Sequence, residues 1–213
     1  MRVLIVGGLG KMGQEVAKIC EESGYDVVGK IDKNDDIFQI ENADVIVDFS
    51  TCDDRTDYVE YAREKKIAYC CFSTLVSASD LKKMKGLAKV CPVLMCPNAS
   101  RGINAILDML KVCAQQLVGA DVVVCEYHHK QKKDAPSGTA KTILNFLLPT
   151  FNDAKVVSCR VGNERGTHKI EFYLDDEKIE ITHQVASRRV FAIGAIEMAK
   201  RIMLLPAGFY TKI

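Results

Sequence analysis

Apolar residues occur along this chain in short unbroken runs, and between the runs they recur every three or four positions; the alternation predicts strands interleaved with helices. Arg2-Val3-Leu4-Ile5-Val6 is the first run, and Val16, Ala17, Ile19 and Cys20 beyond it share one face of a helix. A second strand is expected from Asp26 to Ile31 and a third over Val45-Ile46-Val47-Asp48-Phe49. A helix over Asp53 to Glu64, a strand from Ile67 to Cys71, a helix near Asp80 to Ala88 and a strand from Pro92 to Met95 continue the series. Such an order predicts an α/β arrangement, a parallel sheet with helices on both faces.

From about Ser100 the pattern changes. A helix from Gly102 through Gln116 is followed by the apolar run Val122-Val123-Val124-Cys125, which reads as a buried strand reaching Tyr127. A helix opens at Gly138, and two or three strands are expected over Lys155 to Arg160, His168 to Leu174 and Lys178 to His183, the last two joined by a hairpin turn at Asp175-Asp176. Segregated strands and helices indicate an α+β domain over 100–188. The tail from Arg189 to Met203 carries Val190, Phe191, Ile193, Ala195, Ile196 and Met198 and reads as a helix returning to the first domain, 1–99 with 189–213. No linker rich in Pro, Gly or Ser, no internal repeat and no low-complexity segment interrupts the chain.

Length and charge narrow the class. A chain of 213 residues with 48% hydrophobic content buries a substantial core as one large or two small domains. A net charge of +1 gives no sign of nucleic-acid or membrane partners, no run approaches transmembrane length, and Met1-Arg2 leads into a strand rather than a signal peptide, so a cytoplasmic protein is expected. The nine cysteines form no C-x-x-C pair; Cys70-Cys71 is a vicinal pair on a strand, Cys52 falls in a loop, and most of the others sit in apolar contexts. They read as small buried hydrophobes kept reduced, with no metal site expected.

Two segments carry chemistry. After the first strand, Gly7-Gly8-Leu9-Gly10-Lys11-Met12-Gly13 satisfies G-x-G-x-x-G through Gly8, Gly10 and Gly13. A match of this kind is weak alone, but here it follows a strand, opens a helix and precedes a second strand ending in Asp32. The first glycines permit a tight turn and close approach to a pyrophosphate, the last lets the helix sit against the strand, and the acidic side chain accepts from ribose hydroxyls. A Rossmann-type dinucleotide domain follows. Asp32 favours NADH, whereas Lys33 supplies a cation for the extra phosphate of NADPH. Lys33 is equally an ordinary residue of the turn Lys33-Asn34-Asp35-Asp36, and the sequence leaves the choice open.

The second segment is Glu126-Tyr127-His128-His129-Lys130-Gln131-Lys132-Lys133-Asp134-Ala135-Pro136-Ser137-Gly138-Thr139-Ala140. Taken singly, a His pair is a common surface feature, a lysine run a solvated one and Ser137 a helix cap. Together they place proton donors and cations at a strand end, beside a helix start whose backbone N–H groups receive a carboxylate or phosphate.

In this order and spacing, Glu-x-His-His, a Lys, then Asp-Ala-Pro-Ser-Gly-Thr-Ala, the chain resembles the 4-hydroxy-tetrahydrodipicolinate (dihydrodipicolinate) reductase family of lysine and diaminopimelate biosynthesis. The resemblance extends over nearly the whole chain, through Asn98-Ala99-Ser100-Arg101-Gly102-Ile103-Asn104, Gly166-Thr167-His168 and Thr182-His183-Gln184-Val185-Ala186-Ser187-Arg188. It implies NADH- or NADPH-dependent reduction of a cyclic imine dicarboxylate, with His128 and Lys132 as proton donors and His129, Ser137, Gly138 and Thr139 holding substrate carboxylates. It implies a cofactor role for the glycine loop from Gly7 to Met12, for Asp32 and Lys33, and for polar loops at the strand ends. Those loops are Asp48-Phe49-Ser50-Thr51, Phe72-Ser73-Thr74 and Cys96-Pro97-Asn98-Ala99. It also implies a homotetramer assembled through the second domain, with a dimer as the fallback.

Three positions depart from the family pattern. Phe72 stands where Gly is usual, Gln131 where His is frequent, and the stretch from Arg160 to His168 is short. Two other readings remain. A non-catalytic dinucleotide-binding redox sensor is favoured by Phe72 but has no need of two proton donors beside an anion receptor. Another two-domain NAD(P) amino-acid dehydrogenase would lack the His-His and Ser-Gly-Thr pairing.

Overall fold

In the computed structural model, which describes residues 1–51 and 54–213, the chain runs β1 (Arg2–Val6), α1 (Lys11–Glu22), β2 (Asp26–Ile31), β3 (Val45–Asp48), α2 (Thr56–Lys65), β4 (Ala68–Cys71), α3 (Ala78–Leu87) and β5 (Pro92–Met95). It continues through α4 (Arg101–Cys113), β6 (Asp121–His128), α5 (Gly138–Leu147), β7 (Lys155–Arg160), β8 (Thr167–Tyr173), β9 (Lys178–Gln184), α6 (Arg189–Ile202) and β10 (Gly208–Tyr210). Contacts divide it into a first unit, Met1–Ala99 with Arg189–Ile213, and a second, Ser100–Arg188.

The first unit is a parallel sheet in the order β10-β5-β4-β3-β1-β2. Every residue of β3 and β4 is buried, because helices cover both faces; that is why these strands read as unbroken apolar runs rather than alternating ones. Val3, Ile5, Val45 and Val47 face a core completed by Val16 and Ile19 of α1 and by Ala192, Ala195 and Ala199 of α6. Leu4, Val6 and Ile46 face the opposite core with Tyr58, Tyr61, Met84 and Leu87. The small residues of α6 allow close approach: a Cβ on Gly194 would lie 1.9 Å from the Ala99 carbonyl oxygen. Asp53, where the sequence starts a helix, and Cys52, expected in a loop, lie outside the described residues; α2 begins at Thr56, whose N–H and hydroxyl both donate to the Asp54 carboxylate.

The second unit is a mixed sheet in the order β7-β6-β8-β9, parallel between β6 and β7 and antiparallel elsewhere. Helices α4 and α5 contribute Ile103, Ile106, Leu110, Ala140, Ile143 and Leu147 to a core against Val122, Val124, Ile170 and Phe172. The strand expected to be wholly buried is therefore half-buried: Val122 and Val124 face this core, while Val123 and Cys125 are partly exposed on the other face. Leu174 donates to the Glu177 carbonyl at 2.9 Å and closes the β8–β9 hairpin around Asp175 and Asp176. All eight described cysteines are free thiols, five of them buried. Among the described residues no helix is long and apolar enough to cross a membrane.

Candidate active site

The glycine turn joins β1 to α1 at the point where the sheet order reverses, β2 lying on one side of β1 and β3 on the other. Gly7 has φ +77°, a left-handed conformation that a side chain would strain, and a Cβ there would also meet Ser50 N at 2.9 Å. A Cβ on Gly8 would lie 2.5 Å from the Lys30 Cβ, and one on Gly13 2.2 Å from the Gly7 carbonyl oxygen. Helix α1 starts at Gly10 with no side-chain cap and no acidic residue in its first turn. By contrast α3, α4 and α5 are capped by Ser77, Ser100 and Ser137. An uncapped helix start behind a glycine cradle fits a pyrophosphate.

Around this turn the cofactor candidates differ in what they offer. Leu9 and Lys11 are exposed, Met12 is partly buried, and the Leu9 N–H donates to Asp32 Oδ2 at 2.8 Å, so the acidic residue at the end of β2 also braces the loop. Lys33 is exposed. Phe72, placed by the sequence in a cofactor loop, is only 3% exposed and stacks on Phe49 with ring centroids 5.1 Å apart. Its side chain belongs to the core. Ser73 is buried and bonded to Leu75 N and O, Thr74 and Pro97 are exposed, and the Cys96 thiol donates to the Asn98 carbonyl beside buried Ala99.

In the second unit the helix-covered face of the sheet changes character along its length. It is apolar at Val122, Val124, Ile170 and Phe172, then polar at Glu126, His128 and His168, all buried, with buried Ser137 at the start of α5 beside them. Register explains the cluster. Glu126 is opposite His168 and His168 opposite His183, while His128 pairs with Arg160 and Glu126 with Ser158. Side chains directly opposite share a face, so four strands deliver their polar ends to one place. Glu126 accepts from Arg160 Nη2 at 2.8 Å and from the Ser137 N–H at 3.3 Å through one oxygen, and bonds His128 Nδ1 through the other. Ser137 Oγ caps α5 by accepting from Ala140 N and meets His168 Nε2 at 3.2 Å. His183 Nε2 meets Ser100 Oγ, the cap of α4, at 3.2 Å.

Electrostatics follow from these contacts. Burial alone would raise the Glu126 carboxyl, but bonds from Arg160, Ser158 and His128 outweigh it and hold the group down at about 2. Burial lowers His128 below the ordinary histidine value, more than the neighbouring Glu126 raises it. His168 is lowered to about 4, by burial first and then by the charge on His128, and His183 is lowered by burial. The Nδ1–H of His128 is thus directed to a permanent carboxylate, and Nε2, which lies toward Gly166, is the nitrogen left for chemistry. Glu126, His128 and His168 bring ligand-type atoms within 4.8 Å of one another. Arg160 already neutralises the carboxylate, so a divalent cation there would face a guanidinium.

The sequence-selected residues fall into place unevenly. Lys132 Nζ is paired with Asp134 Oδ1 at 2.7 Å, half-buried and close enough for its charge to lower His128. His129 is partly buried, and Gly138 and Thr139 form the first turn of α5. Arg160, His168 and His183 were not selected as site residues, nor was Glu126 given a role. The signal that reaches them is the period of two, which puts Glu126 on the same face as His128, and the histidine count: all four histidines of the chain lie in this unit. Among the described residues, the buried side-chain nitrogens and oxygens without a partner are His129 Nδ1, Arg160 Nε, His168 Nδ1 and His183 Nδ1.

A doubly wound unit with a glycine turn at its switch point, joined to an α+β unit bearing acid–base residues at a helix start, defines a two-domain pyridine-nucleotide oxidoreductase. The family model described as dihydrodipicolinate reductase, N-terminus, matches residues 1–99, and that described as dihydrodipicolinate reductase, C-terminus, matches residues 102–212. The 4-hydroxy-tetrahydrodipicolinate reductase of Thermosipho africanus is 36% identical over 99% of this chain and 95% of its own length. That of Caldanaerobacter subterraneus subsp. tengcongensis is 34% identical over 99% and 96%. Among solved structures, the dipicolinate-bound dihydrodipicolinate reductase from Paenisporosarcina sp. TG-14 shares the fold, with a TM-score of 0.80 at 20% identity over 99% of this chain and 97% of that one. The chain belongs to the dihydrodipicolinate reductase family.

Proposed function

We propose that this protein reduces 4-hydroxy-tetrahydrodipicolinate to tetrahydrodipicolinate with NADH or NADPH, a step of lysine and diaminopimelate biosynthesis. The observation that carries the reading is the Glu126–His128 pair set beside the start of α5, amid buried nitrogens that have no partner among the described residues. Orphaned polar atoms of that kind are costly unless a ligand completes them, and a dicarboxylate supplies acceptors for those that carry a hydrogen, Arg160 Nε among them.

The first unit serves as the dinucleotide domain. The turn from Gly7 to Met12 holds the pyrophosphate, Asp32 and Lys33 meet the adenosine ribose, and the loops Phe72-Ser73-Thr74 and Cys96-Pro97-Asn98-Ala99 border the nicotinamide. When bound, the reduced nicotinamide supplies a hydride to the substrate ring. The second unit holds the substrate, with His129, Ser137, Gly138 and Thr139 at its carboxylates. Reduction of the hydroxylated ring expels water and takes up a proton as well as the hydride. Glu126 fixes His128 with Nε2 free to accept or give that proton, and the Lys132 ammonium is the second acid. Ser137 is already engaged by Ala140 N and His168, so its contribution is to set the helix start.

The redox-sensor alternative loses its support, because Phe72 lies in the core rather than across a cofactor path. Assembly as a homotetramer through the second unit is supported by the sheet face opposite α4 and α5, where Val157 and Tyr173 are 47% and 42% exposed, and by β9 at the sheet edge. The function is tested with purified protein and substrate freshly made by the preceding aldolase-type condensation, following NADH and NADPH absorbance in parallel. Oxidation that depends on the substrate is expected with both cofactors; none with either would refute the reading.

A further inference from the structure

The first unit buries a set of charges for which proton and hydride transfer have no use. Asp48 ends β3, Arg55 precedes α2, Tyr69 lies on β4 and Asp80 in α3, and each is 0% exposed. Arg55 Nε donates to Asp48 Oδ2 at 3.0 Å and Nη1 to Asp80 Oδ2 at 3.3 Å. The Tyr69 hydroxyl donates to the same Asp48 oxygen at 2.5 Å, and the Arg55 backbone N–H donates to Asp80 Oδ1 at 3.1 Å. Burial, reinforced by Asp48, pushes the Tyr69 phenol far up, so it remains a neutral donor.

These bonds converge on one stretch of backbone. The Ser50 N–H donates to Asp48 Oδ1 at 2.7 Å, and the Ser50 carbonyl accepts from Arg55 Nη2 at 3.1 Å. Both main-chain polar groups of Ser50 are therefore fixed by the buried network. Directly against them stands Gly7, where a Cβ would lie 2.9 Å from Ser50 N and 3.1 Å from the Phe49 carbonyl carbon. The contact is at the junction of β1 and β3, the topological switch where open α/β sheets receive their ligands. A buried ion pair is poorly suited to adding stability, since desolvation offsets much of its attraction and apolar groups of equal volume often serve as well. What it supplies is a defined geometry.

We infer that Arg55 is a positioning residue for the dinucleotide: with Asp48, Tyr69 and Asp80 it holds the Phe49–Ser50 backbone against Gly7 and so sets the shape of the crevice between the β1 and β3 loops. The inference rests on the reading of the first unit as the dinucleotide domain. Loss of the guanidinium leaves Asp48 and Asp80 as buried carboxylates without it, and the Ser50 carbonyl without that donor. The loop then relaxes, and the glycine turn loses the wall that defines it.

The test uses Arg55→Met, close in length and uncharged, with Arg55→Lys and Tyr69→Phe beside it. NADH affinity is measured directly by fluorescence titration, apo melting temperature separately, and KM for the dicarboxylate in turnover. Arg55→Met is expected to weaken NADH about tenfold or more while the dicarboxylate KM stays within about twofold, as displacement of a positioning group costs ligand geometry selectively. Arg55→Lys, which keeps the charge but lacks the fork, falls between. Tyr69→Phe removes one hydroxyl and is expected to weaken NADH about threefold; it carries the test should Arg55→Met fail to fold. Folded variants that melt lower yet bind NADH as the wild type does, or that raise both constants equally, would overturn the inference. Because NADH binding needs no turnover, a wild type that binds NADH but leaves the substrate unreduced refutes the reductase reading alone, and one that binds no NADH overturns both.

Discussion

Alanine at two glycines of the same loop should fail in different ways. At Gly13 an added Cβ would meet the Gly7 carbonyl oxygen at 2.2 Å, Gly8 Cα at 2.7 Å and Gly8 C at 2.9 Å, all backbone atoms that cannot swing aside. Restoring ordinary contact requires α1 to back away from the turn by about 1 Å, and overpacking of this kind costs about 1–3 kcal/mol. The better helix propensity of alanine returns about 1 kcal/mol. Because the clash is with backbone, the upper end of that range applies, and a net loss of about 2 kcal/mol corresponds to a melting temperature lower by about 4–8 °C for a chain of this size. NADH binding should fall with it, because under the proposed function the moved helix start receives the pyrophosphate. Gly10 differs: its φ of −68° and ψ of 162° suit any residue, and its Cβ would meet only the Gly7 oxygen, at 3.2 Å. Gly10→Ala should therefore melt no more than about 4 °C below wild type, since alanine is a poorer helix cap than glycine by about 1 kcal/mol. It should nonetheless weaken NADH about tenfold or more, because that position requires close approach of backbone to pyrophosphate. Apo melting curves and fluorescence titrations with NADH separate the two. Wild-type NADH affinity in Gly10→Ala, or an unchanged melting temperature in Gly13→Ala, would refute the reasoning.

Other expectations concern both units. His128→Ala and Lys132→Ala should each lower turnover about 10²-fold or more with little change in NADH affinity, the usual consequence of losing a general acid; wild-type rates in both would remove them from catalysis. Lys33→Ala should weaken NADPH while leaving NADH nearly unchanged, and equal losses in steady-state kinetics would make Lys33 structural. Acid should destabilise the second unit in two stages. His168 is held at about 4 against an ordinary 6.5, so the unfolded chain binds the extra proton between those values and stability falls as pH drops through them. From pH 7 to pH 5 the loss is about 2 kcal/mol, and Glu126, held at about 2, adds a further loss as pH falls below its ordinary value. Urea titrations at the two pH values should show a smaller loss in His168→Gln; an equal loss would contradict this. Light scattering after size exclusion should give a tetramer at micromolar concentration, and a monomeric mass at every concentration would exclude assembly through the exposed sheet face.

The strand and helix order of the first unit was legible because strands covered on both faces are continuous apolar runs, as in β3 and β4. Strand β10 was not, since three residues from Gly208 to Tyr210 carry no period and acquire a strand conformation only by pairing with β5. The glycine turn and the stretch from Glu126 to Ala140 were legible for another reason. Their geometry is local: a strand end, a turn and a helix start place neighbouring residues together whatever the rest of the chain does.

By itself, then, the sequence determined where the glycine turn lies, which residues flank the start of α5, and which family pattern they match. Tertiary structure decided what surrounds them. Arg160 reaches Glu126 only because β7 pairs with β6 in one register, and His168 and His183 arrive through the pairings of β8 and β9. A shift of one residue would turn each of those side chains to the opposite face. Arg55 likewise reads in the sequence as one charge among many, and only the fold closes Asp48, Tyr69 and Asp80 around it. Contacts between distant segments depend on register and packing, which the order of residues along one segment does not specify.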